Sequence, residues 1–179
     1  MQKLTRVLGV AGLVLGLTLG ASLAAQAADR PDSWVTLKTK LALMTADGVD
    51  TWDLNVDTVK GAVTLHGKVA TEEAKKKAEA VAAGIEGAKS VKNLLQVVPK
   101  PNREAVEDVD DVIKTNVDKA LDADPALKDV EVASVNKGVV LLRGTVETLA
   151  AHVKAVDTAA RVRGVRRVST EITTKTETE

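Results

Sequence analysis

The side chains with the widest chemical range are scarce in this chain. It has 179 residues, two histidines and no cysteine. Without a thiol there is no thiolate nucleophile, no disulfide and no sulfur ligand for a metal. His66 and His152 fall at non-equivalent places, one in an alternating strand-like stretch and one on a polar helical face. They read as exposed surface residues rather than as a ligand pair or a general base. Ser33, Ser90, Ser134 and Ser169 lie outside any nucleophile-elbow context, and no glycine-rich loop is built to cradle a phosphate. The series Asp47, Asp50, Asp53 and Asp57 invites a calcium reading. Its spacing does not follow the alternate-residue ligand pattern of an EF-hand loop, so it reads as a solvated loop. The run EAVEDVDD, 104–111, reads as the acidic opening turns of a helix. The sequence therefore offers no catalytic residue, no metal site and no cofactor site, and the expectation is a protein that is not an enzyme.

One cluster stands out. Arg161, Arg163, Arg166 and Arg167 crowd a short stretch, and Lys154 precedes them on the same predicted helix. On the outward face of a nearby predicted strand stand Leu141 and Arg143, beside Val139. Guanidinium groups next to apolar side chains suit an anionic lipid surface, where arginine meets phosphate and the aliphatic groups meet acyl chains. A second reading has Leu141 packed against the first of two domains in the chain and the arginines paired with nearby Asp and Glu. Even on the first reading the attachment is weak. Each basic residue contributes roughly 1 kcal/mol at such a surface, and four give about 4 kcal/mol, a dissociation constant of about a millimolar.

The elements that must position these residues announce themselves by repetition. GAVTLHGKV, 61–69, and GVVLLRGTV, 138–146, share Gly, Val, Leu, Gly and Val at alternate positions. In numbers, Gly61, Val63, Leu65, Gly67 and Val69 correspond to Gly138, Val140, Leu142, Gly144 and Val146. Extended at the same offset of 77, residues 61–98 match 138–175 with 13 identities in 38 positions. A period this long means two copies of a small domain rather than a solenoid. Strict alternation over nine residues predicts a strand with the valines and leucines inward. Gly61 and Gly138 serve the preceding turn, and Gly67 and Gly144 allow a bulge or the close approach of a helix.

Around each phrase the same order can be read. A first helix is predicted over Trp34–Thr45, capped by Asp32 or Ser33, with Leu37, Leu41 and Met44 inward. Its counterpart carries Val106, Val109, Ile113, Val117 and Leu121, and an offset of 76 pairs Leu37 with Ile113. A short strand, the quoted strand, and a second helix opening at Thr71 or Thr148 follow. Gly87 and Gly164 are placed at the ends of those helices, before a third strand. The fold class is α+β, two tandem αββαβ units, each a small three-stranded sheet with two helices on one face. The units span 32–98 and 106–175, and PKPNRE within the 99–105 linker stops both helix and strand.

Residues 1–27 have the layout of a signal peptide: Lys3 and Arg6, an uncharged stretch from Val7 to Ala25, and Ala25-Gln26-Ala27 as the cleavage signal. Its removal leaves 23 basic and 25 acidic residues, a balance that does not suit a nucleic-acid binder. An exported chain without disulfides must rest on its core of Val, Leu, Ile and Ala, since Trp34 and Trp52 are its only aromatics.

The pattern G-x-V-x-L-x-G-x-V inside an αββαβ unit, with Gly87-Ala88 and Gly164-Val165 before the last strand, resembles the BON (bacterial OsmY and nodulation) domain. The resemblance covers nearly all of the chain after residue 31. It implies a non-enzymatic binding module of the periplasm, associated with phospholipid membranes and with envelope or osmotic-stress protection. Its implied partners are an anionic phospholipid surface or, alternatively, envelope proteins held by a holdase-like module using the open sheet faces.

Overall fold

The computed structural model describes residues 30–175, so the expected signal peptide, 1–27, lies outside the described residues. The first unit runs α1 (Asp32–Met44), β1 (Leu54–Val59), β2 (Ala62–Val69), α2 (Glu72–Ala83), β3 (Ser90–Asn93) and β4 (Gln96–Val97). The second runs α3 (Arg103–Asp122), β5 (Val130–Asn136), β6 (Val139–Val146), α4 (Leu149–Ala160) and β7 (Arg167–Thr174). In each, the repeated phrase is the central strand, antiparallel to the strand before it and parallel to the strand after the helix. The parallel step needs a crossover, which α2 and α4 supply. The αββαβ order is as expected, with one difference: the third strand of the first unit breaks into β3 and β4 at Leu94 and Leu95. There Asn93 turns its side chain back to accept from Leu95 N at 3.1 Å.

The central strands sort their side chains by parity. Val63, Leu65 and Val69 join the core under α1 and α2, and Val140, Leu142 and Val146 join the core under α3 and α4. Thr71 and Thr148 cap α2 and α4 as expected, accepting from Ala74 N and Ala151 N. Buried alanines then seat both helices close on their sheets: Ala74, Ala78 and Ala82 in α2, Ala155 and Ala159 in α4.

The first helix departs from expectation. Val35, Thr39 and Leu43 face inward, whereas Leu37, Leu41 and Met44 are exposed. The true correspondence between the units pairs Asp32 with Asp110, Val35 with Ile113, Thr39 with Val117 and Leu43 with Leu121, an offset of 78. The two-residue slip turned the helix over. Thr39 is tolerated inside because its hydroxyl donates to Val35 O at 2.8 Å. In α3 the inward residues are Ile113, Val117 and Leu121, with Val109 left outside.

Asp32 is not a helix cap. Its two carboxylate oxygens accept from Lys60 N at 2.7 Å and Gly61 N at 2.8 Å, across the β1–β2 turn. Asp110 does the same to Lys137 N at 2.7 Å and Gly138 N at 2.9 Å. Both turn residues have positive φ in each unit, the mirror-image turn that suits strand twist. Part of the predicted acidic helix start is therefore a buried clamp. Gly87 and Gly164 also lie elsewhere than predicted: α2 stops at Ala83 and α4 at Ala160, and the glycines sit in the following turns.

The sheet faces turned away from the helices cover each other. On one side Thr64, His66 and Lys68 are buried, and on the other Val139, Leu141 and Ser169. Asn136, with its amide turned so that oxygen faces the first unit, accepts from Gly67 N at 3.3 Å. Lys137 Nζ donates to Val97 O at 3.3 Å and Lys92 Nζ to Thr170 O at 3.4 Å. The result is four layers: helices, sheet, sheet, helices.

Candidate functional site

The cationic residues singled out by sequence do not form one patch. Leu141 is 1% exposed, because the first unit's sheet covers it, so it lines no open face. Arg143 sits at the rim of that contact. Its Nε and NH2 donate to Glu131 Oε1 at 3.0 and 2.7 Å, and its NH1 lies 3.9 Å from Asp57 Oδ1. The Glu131 hydrogen bond above all, with Asp57 and Glu171 adding to it, raises the Arg143 pKa. His66, expected at the surface, is buried with Nε2 at 2.8 Å from Asp57 Oδ2. That hydrogen bond is the main cause holding the Asp57 carboxyl below its usual range. Lys154 is bound to Asp124 on the far side of α4, and Arg161 to Asp157 one turn back, at 2.7 Å.

Arg163 and Arg166 are different. The turn carrying them presses on α3: a Cβ added at Gly164 would stand 2.8 Å from Ile113 Cδ1. Because only glycine lets the turn come this close, the two arginines are set beside the outer face of α3. There they flank a groove whose walls include Ala105, Val106, Val109 and Val112. Arg166 is steadied by a bond from NH1 to Lys137 O at 3.3 Å, the same Lys137 whose amide is clamped by Asp110. Arg167, at the start of β7, is exposed on the adjoining surface. Two acids also line the groove, Asp108 and the clamp carboxylate Asp110.

Sequence reasoning supplied the arginines and missed the groove. The apolar spacing places Val109 in the core, whereas the structure turns it outward together with Val112. The signal was present in the Asp32/Asp110 correspondence, which rotates both valines outward. What the arrangement offers is an apolar trough with guanidinium donors at its rim. It suits a ligand that is anionic at one end and aliphatic at the other. Among the described residues no group of three or more His, Asp or Glu could hold a metal ion, and no helix is long and apolar enough to cross a membrane.

The BON domain family model matches this chain twice, over residues 31–99 and 109–176. The chain belongs to the BON domain family. Within its two αββαβ units, the repeated G-x-V-x-L-x-G-x-V phrase is the central strand. Osmotically-inducible protein Y of Escherichia coli (strain K12) is 34% identical over 146 residues, covering 80% of this chain and 73% of that protein. Two solved structures of CdsD, a structural protein of the type III secretion system of Chlamydia trachomatis, are similar at 15% and 13% identity. They cover 81% and 79% of this chain and 67% and 61% of their own, each with a TM-score of 0.33.

Proposed function

We propose that this BON protein is a non-enzymatic module of the periplasm that attaches peripherally to anionic phospholipid surfaces and serves envelope integrity under osmotic stress. Its likeness to an osmotically inducible protein supports the stress role. The layout of residues 1–27 supports export with cleavage after Ala27, and the repeat supports two domains at 32–98 and 106–175 joined by 99–105, although the last three residues of that linker already open α3. The observation that carries the lipid reading is the apolar trough on α3 with Arg163 and Arg166 at its rim. Two arginines contribute about 2 kcal/mol at an anionic surface, and partial insertion of two valines adds roughly as much. The attachment is weak, reversible and sensitive to salt. A holdase-like role in which the open sheet faces grip client proteins has less support, because those faces are buried against each other.

Sedimentation of the chain from Ala28 onward with phosphatidylglycerol or phosphatidylcholine vesicles tests the proposal. The expected result is binding to the anionic vesicles only, weakening between low and physiological salt. It also weakens at least about threefold in Arg163→Gln/Arg166→Gln. Equal binding to both lipids, or none at low salt, overturns it.

A further inference from the structure

The outer face of α1 has no counterpart in the repeat. Leu37, Leu41 and Met44 lie opposite Val35, Thr39 and Leu43, and each is more than half exposed, where a surface helix normally carries polar residues. In the correspondence that pairs Val35 with Ile113, the same positions of α3 hold Thr115, Lys119 and Asp122, all exposed. The fold therefore does not require the apolar stripe. Lys38 and Lys40 lie one on each side of it, and neither is in an ion pair among the described residues. Asp32, the sole acid of α1, is turned inward to the β1–β2 turn. At the C-terminal end of the stripe Trp52, 90% exposed, shares a surface depression with Lys40 and Met44.

A stripe of the same spacing runs along the outside of α3. Ala105, Val109 and Val112 repeat the four-and-three step of Leu37, Leu41 and Met44, and both valines are more than half exposed. Glu104, Asp108 and Asp111 form a row beside them, on the side turned away from Ile113 and Val117. All three acids are exposed and in no ion pair among the described residues. They belong to the EAVEDVDD run, of which the turn clamp uses only Asp110. Because α1 and α3 lie in opposite outer layers with both sheets between them, the two stripes of one molecule do not meet.

We infer that this protein self-associates head to tail, the α1 stripe of one copy packing on the α3 stripe of the next. Equal spacing lets the two rows interlock as helix ridges and grooves do, and Trp52 widens the apolar face as an aromatic anchor. The occupant is decided by charge. Packing α1 on α1 sets lysine against lysine, and α3 on α3 sets acid against acid, whereas α1 on α3 is complementary. Because the two surfaces differ, the contact is heterologous and repeats into a ring or an open row of copies. One helix face on another is a small interface, so association is weak and belongs to concentrated solution. The inference does not rest on the lipid reading, whose anchors are Arg163 and Arg166. The two share Val109 and Val112, so a docked copy competes with lipid for the trough.

Sedimentation equilibrium of the chain from Ala28 onward, without lipid, tests this. The weight-average mass rises with concentration between about 10 μM and about 1 mM, and falls back as salt is added. Lys38→Glu/Lys40→Glu makes both surfaces acidic, and Asp108→Lys/Asp111→Lys makes both basic. Each weakens association about tenfold or more, and circular dichroism checks that these exposed changes leave the fold intact. An equimolar mixture of the two variants associates again, because the α1 of each then meets an α3 of opposite charge on the other. A wild-type chain that stays monomeric at the highest concentration overturns the inference and leaves the lipid reading standing. Association that survives either charge reversal overturns it too, since the contact then lies elsewhere or pairs like faces. So does a mixture of folded variants that stays monomeric.

Discussion

At the residue scale the most telling side chains are two aspartates that look in sequence like a helix cap and part of a helix's acidic opening turns. Asp32 and Asp110 each place a carboxylate across a hairpin turn and satisfy two backbone amides at once. Charge-assisted bonds of this kind contribute about 1.5–3 kcal/mol each when shielded from water. Asp110 is 3% exposed, and Asp32 is only partly buried. Replacing either by alanine strands two amides, but at the Asp32 site water can reach them. Asp110→Ala should therefore lower the unfolding free energy by about 3 kcal/mol and Asp32→Ala by about 1 kcal/mol. Urea denaturation followed by circular dichroism checks this, and equal losses would show that burial does not set the difference. No spacing rule pointed to this role, since a carboxylate that serves a turn 28 residues away looks in sequence like any other acid near a helix start.

At the element scale the strands were legible and the first helix was not. Alternation has a period of two, so a single register puts every Val and Leu of 61–69 and 138–146 inward. In α1 two apolar stripes compete, Val35 and Leu43 against Leu37, Leu41 and Met44. The apolar count favours the wrong one, because the true inner face includes a threonine. The glycines inside the central strands invite the expectation of a bulge or a close helix, whereas the group that approaches them is the chain entering the neighbouring strand. A Cβ at Gly144 would meet Asp129 O at 2.0 Å, and one at Gly67 would meet Asp53 O at 1.8 Å. These are carbonyls that accept from the next residue's amide, Thr145 N at 3.2 Å and Lys68 N at 2.9 Å. Gly48 also has a positive φ, 77° against 140° at Gly144, but nothing lies within 4 Å of its added Cβ. Gly48→Ala should then cost only the backbone term, about 1 kcal/mol. Gly144→Ala must also push two strands apart, and should cost about 3 kcal/mol or more. Thermal denaturation of the two variants separates the effects: similar midpoints would mean that the strand ends yield easily.

At the scale of the whole molecule, two copies of one unit are legible in the sequence, but not how they meet. Of the two readings of Leu141, the packed one describes where it sits, and the reason lies in what each central strand presents to the other. The first unit offers Thr64, His66 and Lys68, a face too polar to be identified as a partner for valine and leucine. It can be buried because His66 pairs with Asp57 and because amides and lysines are satisfied across the gap. Units of about 65 residues are marginal alone, so this contact adds stability to both. A charge at its centre separates them: Leu141 is 1% exposed, so Leu141→Lys forces a longer, charged side chain into a contact already filled, while each unit keeps its own core. The expected outcome is a larger radius of gyration in small-angle scattering and faster proteolysis in the 99–105 linker, with secondary structure by circular dichroism little changed. Leu37→Lys, on the exposed face of α1, should change none of these. If Leu141→Lys left the scattering profile as it was, the linker contacts of Lys100 and Arg103 with Asp50 and Asp53 would suffice to hold the units together. The sheet contact would then follow from docking rather than cause it.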